Sequence, residues 1–197
     1  TAESAARALD SPLRHSGPSP HPGDGAEQSF PGFTGHSEAV RWFETESKNL
    51  VTMAETAASA GMDHIAWRLP VVLRHDFVYR APMSEWVTAT LLGLGAARRE
   101  QEQAAEADLS ESLGMAYVQS HRWEEAKTQH QRALRLRQEA GDRFGEAMSL
   151  NALGLALLRE HRLDEARDHF ERSLAEVRLL GERRWEAVSY THLTLPT

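Results

Sequence analysis

The stretch LGMAYVQSHRWEEA at 113–126 returns as LGLALLREHRLDEA at 153–166, and its reading decides the fold. Leu113-Gly114 becomes Leu153-Gly154, and Trp123-Glu-Glu-Ala126 becomes Leu163-Asp-Glu-Ala166. The echo continues in Ala133-Leu134 with Ser173-Leu174, Gly141-Asp-Arg143 with Gly181-Glu-Arg183, and Glu146-Ala147 with Glu186-Ala187. Every pair is 40 residues apart (113 to 153, 146 to 186). Self-similarity at one fixed period of this size is the signature of a repeat array. Within a unit the apolar residues step by three and four, the period of an amphipathic helix. One helix over about 145–159 turns Ala147, Leu150, Leu153, Leu157 and Leu158 inward. Its partner over about 163–179 does so with Leu163, Ala166, Phe170, Leu174 and Val177. Small residues at Gly114, Gly154, Ala126 and Ala166 let the two helices approach. A lone hairpin cannot bury its own face, so neighbours stack.

Composition agrees. The 197 residues include 28 Ala and 23 Leu against 9 Val and 1 Ile, which favours helix over sheet. There is no cysteine, so disulfide scaffolds, zinc ribbons and thiol nucleophiles are excluded. The net charge of −7 argues against nucleic-acid contact as the main role. No apolar run approaches the roughly 20 residues of a membrane span. The chain starts at Thr1 without a signal pattern and reads as a cytoplasmic fragment of something longer.

Outside the repeat the texture changes. Residues 1–36 read as a tail and a flexible linker, since 11–35 hold 5 of the 8 prolines and 5 of the 13 glycines with little apolar surface to bury. Residues 37–102 read as divergent helical hairpins. A first helix should run from Ser37 to Gly61 with Val40, Phe43, Leu50, Met53 and Ala57 on its inner stripe. A second should cover 62–80, kinked or divided by Pro70. A third should run from about Glu85 to Glu100 behind Ser84 as N-cap. Trp86 precedes Trp123 by 37, which suggests an earlier, divergent second helix of a hairpin. Residues 103–187 are the repeats.

Histidines and acids invite a metal reading at His161, Asp164, Asp168 and His169. Their spacing fits turns and solvated helix faces better, and no H-E-x-x-H is present. The glycines of Leu91-Leu-Gly-Leu-Gly95 have no strand before them and read as helix packing. No G-x-S-x-G elbow supports nucleophilic catalysis. No metal or cofactor is expected, nor an enzyme. Arg98-Arg99, Arg135-Leu-Arg137 and Arg183-Arg184 are interleaved with acids and read as exposed helix faces. The five tryptophans read as hairpin core.

The repeat resembles the tetratricopeptide repeat (TPR). The family spacing falls on Leu113, Gly114, Tyr117, Ala126, His130 and Ala133, then on Leu153, Gly154, Leu157, Ala166, Phe170 and Ser173. His130 departs from the family's aromatic, and the usual late proline is replaced by Gln138 and Arg178. The resemblance implies an all-α fold, a right-handed α-solenoid of helical hairpins, in which the first helix of each hairpin lines a partner-binding groove. Carried over from the glycines, the contact positions are Glu111, Met115 and Gln119, then Met148, Asn151, Leu155 and Arg159. Asn151 can donate and accept to a peptide backbone at once, and Arg159 can meet a carboxylate.

A longer resemblance covers 38–187 and rests on Trp42, Glu46, Asn49, Leu50, Gly61, Ala66 and Trp67. It is to the region that follows the nucleotide-binding and winged-helix domains of NB-ARC-type ATPases of high-GC bacteria, many of them transcriptional regulators of the SARP-like type. It implies a C-terminal sensor arm that meets a protein or peptide partner, or its own upstream domains. No G-x-x-x-x-G-K-[ST] occurs in this chain. Finally, VSYTHLTLPT at 188–197 is uncharged and fails the repeat register at Tyr190, Thr191 and His192. It resembles the translation of a transposase-based sequencing adapter. The array is therefore expected to stop near Ala187, leaving an open apolar edge prone to self-association.

Overall fold

The computed structural model describes residues 36–193 except 75, 76, 79 and 80. The linker expected over 1–36 thus lies almost wholly outside the described residues, as do 194–197. Eight helices and no strand are found among the described residues. They are α1 (His36–Ser59), α2 (Asp63–Val72), α3 (Met83–Glu100), α4 (Gln103–Gln119), α5 (Trp123–Glu139), α6 (Arg143–Arg159), α7 (Leu163–Leu179) and α8 (Arg183–Leu193). They fall into two compact units, divided along the chain between Ala105 and Glu106.

The helix starts keep a strict frame. From α2 to α8 they fall at 63, 83, 103, 123, 143, 163 and 183. The turns explain this regularity. Gly61, Gln101, His121, Gly141, His161 and Gly181 all have φ between 59° and 72°. At each, the next residue's N–H bonds back to a carbonyl five residues earlier, as Asp142 does to Arg137 at 2.9 Å and Arg162 to Leu157 at 2.9 Å. This left-handed closure satisfies carbonyls that the helix end leaves free. Glycine takes such a φ without cost, and histidine is among the residues that tolerate it.

The first unit packs α1, α2 and α3 together. Phe43 meets Phe77 edge-on at 5.7 Å, and Trp67 and Trp86 are fully buried. The Trp67 indole N–H donates to Glu100 at 2.6 Å, and Arg99 forks onto Asp63 at 2.6 and 2.8 Å. Several expectations shift. Met53 is exposed; Val51 and Ala54 take the inner face beside Phe43, Leu50 and Ala57. The stripe rotates because the face between α2 and α3 runs through 43, 47, 50, 54 and 57. Pro70 lies inside α2, which ends two residues later at Val72. A proline has no N–H for the ladder, so a helix is short-lived around it. The third helix starts at Met83 behind Pro82, and Ser84 makes no cap. Trp86 is not the counterpart of Trp123. In the 40-residue frame Met83, Trp123 and Leu163 correspond, and Trp86 stands where Ala126 and Ala166 stand. The glycines at 93 and 95 lie within α3.

The second unit contains the repeat. The inner faces are Leu109, Leu113 and Ala116 of α4, Ala126, Ala133 and Leu136 of α5, Ala147, Leu150, Leu153 and Leu157 of α6, and Ala166, Phe170, Leu174 and Val177 of α7. Leu158 and Leu163 are half-buried. Helix α8 does not stop at Ala187 but runs to Leu193, since no breaker precedes Pro196. Ser189 falls 40 residues after Ser149 and is equally buried, and the Ser173 hydroxyl, 3.2 Å from it, donates to the Ala147 carbonyl at 2.8 Å. Leu193, 40 after Leu153, joins the clusters around Leu174 and Phe170.

Candidate functional site

The site implied by the family spacing lies on α4 and α6, the first helices of the two hairpins. On α6, Met148, Asn151, Leu155 and Arg159 step by three or four and share a face. Met148 and Leu155 are half-buried against the α6–α7 core. Asn151 is buried, its carbonyl oxygen 2.9 Å from Nδ1 of His192 on α8. His192 also tilts against Phe170 at 5.4 Å. Arg159 is exposed at the helix end. On α4, Met115 is half-buried and Gln119 exposed. Two of these side chains have partners within the chain: Asn151 is reached by His192 of the next helix, and half-buried Glu111 is paired with a buried arginine.

That arginine is Arg137, and sequence reasoning placed it wrongly on an exposed face. Its side chain is 7% exposed. One guanidinium nitrogen donates to Glu111, to the Gly145 carbonyl at 3.1 Å and to the Ser149 hydroxyl at 2.8 Å; the other donates to Asp108 at 2.7 Å. A planar fork spreads its donors in directions a lysine could not match. Together the two carboxylates and their hydrogen bonds hold the guanidinium more firmly protonated than usual, against the opposing effect of burial. The signal existed in the sequence: 126, 130, 133 and 137 form one stripe of α5, so Arg137 shares the buried face of Ala126 and Ala133.

His130 lies on the same stripe, 1% exposed, with its ring over Gly114. A Cβ on Gly114 would sit 2.6 Å from the ring, just as one on Gly154 would sit 2.5 Å from Phe170. Nδ1 of His130 has no hydrogen-bond partner. Burial pushes its pKa down to about 4; Glu111 opposes that shift and Arg137 adds to it.

The remaining candidates are ordinary. His161 sits at the α6–α7 turn, Asp164 opens α7, and Asp168 is exposed. His169 is half-buried, with its pKa lowered chiefly by burial. Among the described residues no three His, Asp or Glu side chains gather as a metal site, and no helix is long and apolar enough to cross a membrane. Trp67 and Trp86 are core, whereas Trp42, Trp123 and Trp185 are half-buried. Trp123 meets His121 edge-on at 5.1 Å, and Trp185 meets Phe144 at 5.9 Å.

Comparison with known families places this geometry. Residues 108–178 match the model of the tetratricopeptide repeat family. The match begins at Asp108 of the arginine cluster, within α4, and ends at Arg178, covering most of both hairpins. Repeats of this family serve as scaffolds for protein–protein interaction. No curated protein matches the chain.

Proposed function

We propose that the chain is a protein-interaction module that meets its partner on the outward residues of α4 and α6, and that it works as the regulatory arm of a larger NB-ARC-type cytoplasmic transcriptional regulator. The observation that carries the interaction reading is a contrast between the copies. The positions that set the spacing of the helices agree, as at Leu113 and Leu153 or Gly114 and Gly154, while the exposed positions differ, Gln119 against Arg159. A fixed backbone frame with variable exposed positions suits a binding scaffold. The regulator reading rests on the resemblance over 38–187 and on analogy between fold and role. In it the arm biases a two-state switch by contacting an effector or its own upstream domains. A stand-alone adaptor that binds a partner peptide is the alternative.

The interaction reading is tested by partner capture with the full chain, comparing Gln119→Ala/Arg159→Ala with Arg172→Ala on the outward side of α7. A partner lost only by the first variant supports it; equal capture by both contradicts it. A P-loop and winged-helix region encoded within about 400 residues upstream, the scale of two or three domains, supports the regulator over the adaptor. Exposed Leu179 and Tyr190 support self-association, which a clean monomer in sedimentation contradicts. The adapter reading of 188–197 is tested by its codons, with TAT expected and TAC contradictory at Tyr190.

A further inference from the structure

The two hairpins place different rings in the same slot. Phe170 fills it over Gly154, and His130 fills it over Gly114. Both are sealed from solvent. A phenyl ring has nothing to titrate, whereas His130 has a nitrogen that finds no partner. The charged groups acting on His130 are Glu111 from α4, which favours its cationic form, and Arg137 from its own helix, which disfavours it. The side of α6 that meets Arg137 presents the Gly145 carbonyl and the Ser149 hydroxyl, which carry no charge and are taken up by that guanidinium. Glu111 is itself committed to Arg137. A proton arriving on His130 would therefore create a cation in a closed, close-packed space with no acceptor released for it.

We propose that the first hairpin is acid-responsive: protonation of His130 is accommodated by local opening of Glu106–Glu139, while α6 and α7, with Phe170 in the same slot, stay closed. The sign follows from linkage. The folded hairpin holds His130 neutral down to about pH 4, whereas an opened hairpin binds the proton near 6.5. Stability present above pH 6.5 is lost as the pH falls towards 4. The span from 6.5 to about 4 corresponds to about 300-fold in the opening equilibrium. Sub-global opening of one supersecondary unit is an ordinary event in folded chains.

The experiment is hydrogen exchange of the full chain between pH 7 and pH 4.5, corrected for the intrinsic exchange rate. Amides of 106–139 should lose protection progressively, by up to two orders of magnitude, relative to those of 143–179. His130→Phe should abolish the difference. The same loss in His130→Phe, or equal loss in both hairpins, overturns the proposal. A second measurement needs no variant: the imidazole of His130, followed by NMR in the folded chain, should stay neutral well below pH 6. Titration near 6.5 without loss of structure overturns the proposal as well.

Discussion

The hairpins α4–α5 and α6–α7 share one frame and fill it with opposite chemistry. Gly114 and Gly154 sit under a ring, Ala126 and Ala166 are fully buried, and the turns at His121 and His161 have the same φ to within 2°. Inside, the first copy holds Asp108, Glu111 and Arg137 as a largely buried ion cluster. Forty residues on, the same three positions are Met148, Asn151 and Val177, and Val177 is fully buried in an apolar cluster. The contrast teaches that the repeat motif prescribes backbone spacing and helix approach. It does not prescribe how the space between helices is neutralised, provided that volume and charge each close.

Breaking one partner of the charged interior should have the largest effect. Arg137→Val removes the cation that reaches both Asp108 and Glu111 and takes the charge partner from one buried and one half-buried carboxylate. A loss of about 3–5 kcal/mol is expected in urea unfolding. A loss under 1 kcal/mol would mean that the cluster opens to water. The ring slot comes next. Gly154→Ala gains about 1 kcal/mol of helix propensity but forces a Cβ to within 2.5 Å of Phe170. A net loss of about 1–3 kcal/mol is expected from the overpacking. The parallel Gly114→Ala should behave alike, and a rise in melting temperature for either would show that the slot is loose. The smallest effect belongs to the turns. His161 holds φ at 61° without glycine. His161→Gly should add about 1 kcal/mol by removing the left-handed penalty, whereas the same change at His121 also loses its contact with Trp123.

Much of this was legible in the sequence, for local reasons. The 40-residue echo gave the helical hairpins because turns and close-packed small residues are short-range features. The inner stripes of α6 and α7 followed from spacing alone. What escaped was long-range. Arg137 looked like part of an exposed basic run because its immediate neighbours are charged, and its acids lie 26 and 29 residues upstream on another helix. Residue type pairs Trp86 with Trp123, whereas the turns at Gln101 and Gly141 set the frame and align it with Ala126. Of the seven groove positions, Gln119 and Arg159 are exposed, while Asn151 and Glu111 are engaged by His192 and Arg137. Spacing within one helix cannot foresee what a neighbouring helix will touch.

The claim of one frame with exchangeable interiors has a direct test. Asp108→Met, Glu111→Asn and Arg137→Val together give the first hairpin the residues of the second. The account predicts that the triple variant recovers most of the stability lost by Arg137→Val alone and melts within about 1 kcal/mol of the parent, or above it, since well-packed apolar replacements of buried ion clusters are often neutral or stabilising. A triple variant as unstable as the single one would contradict it.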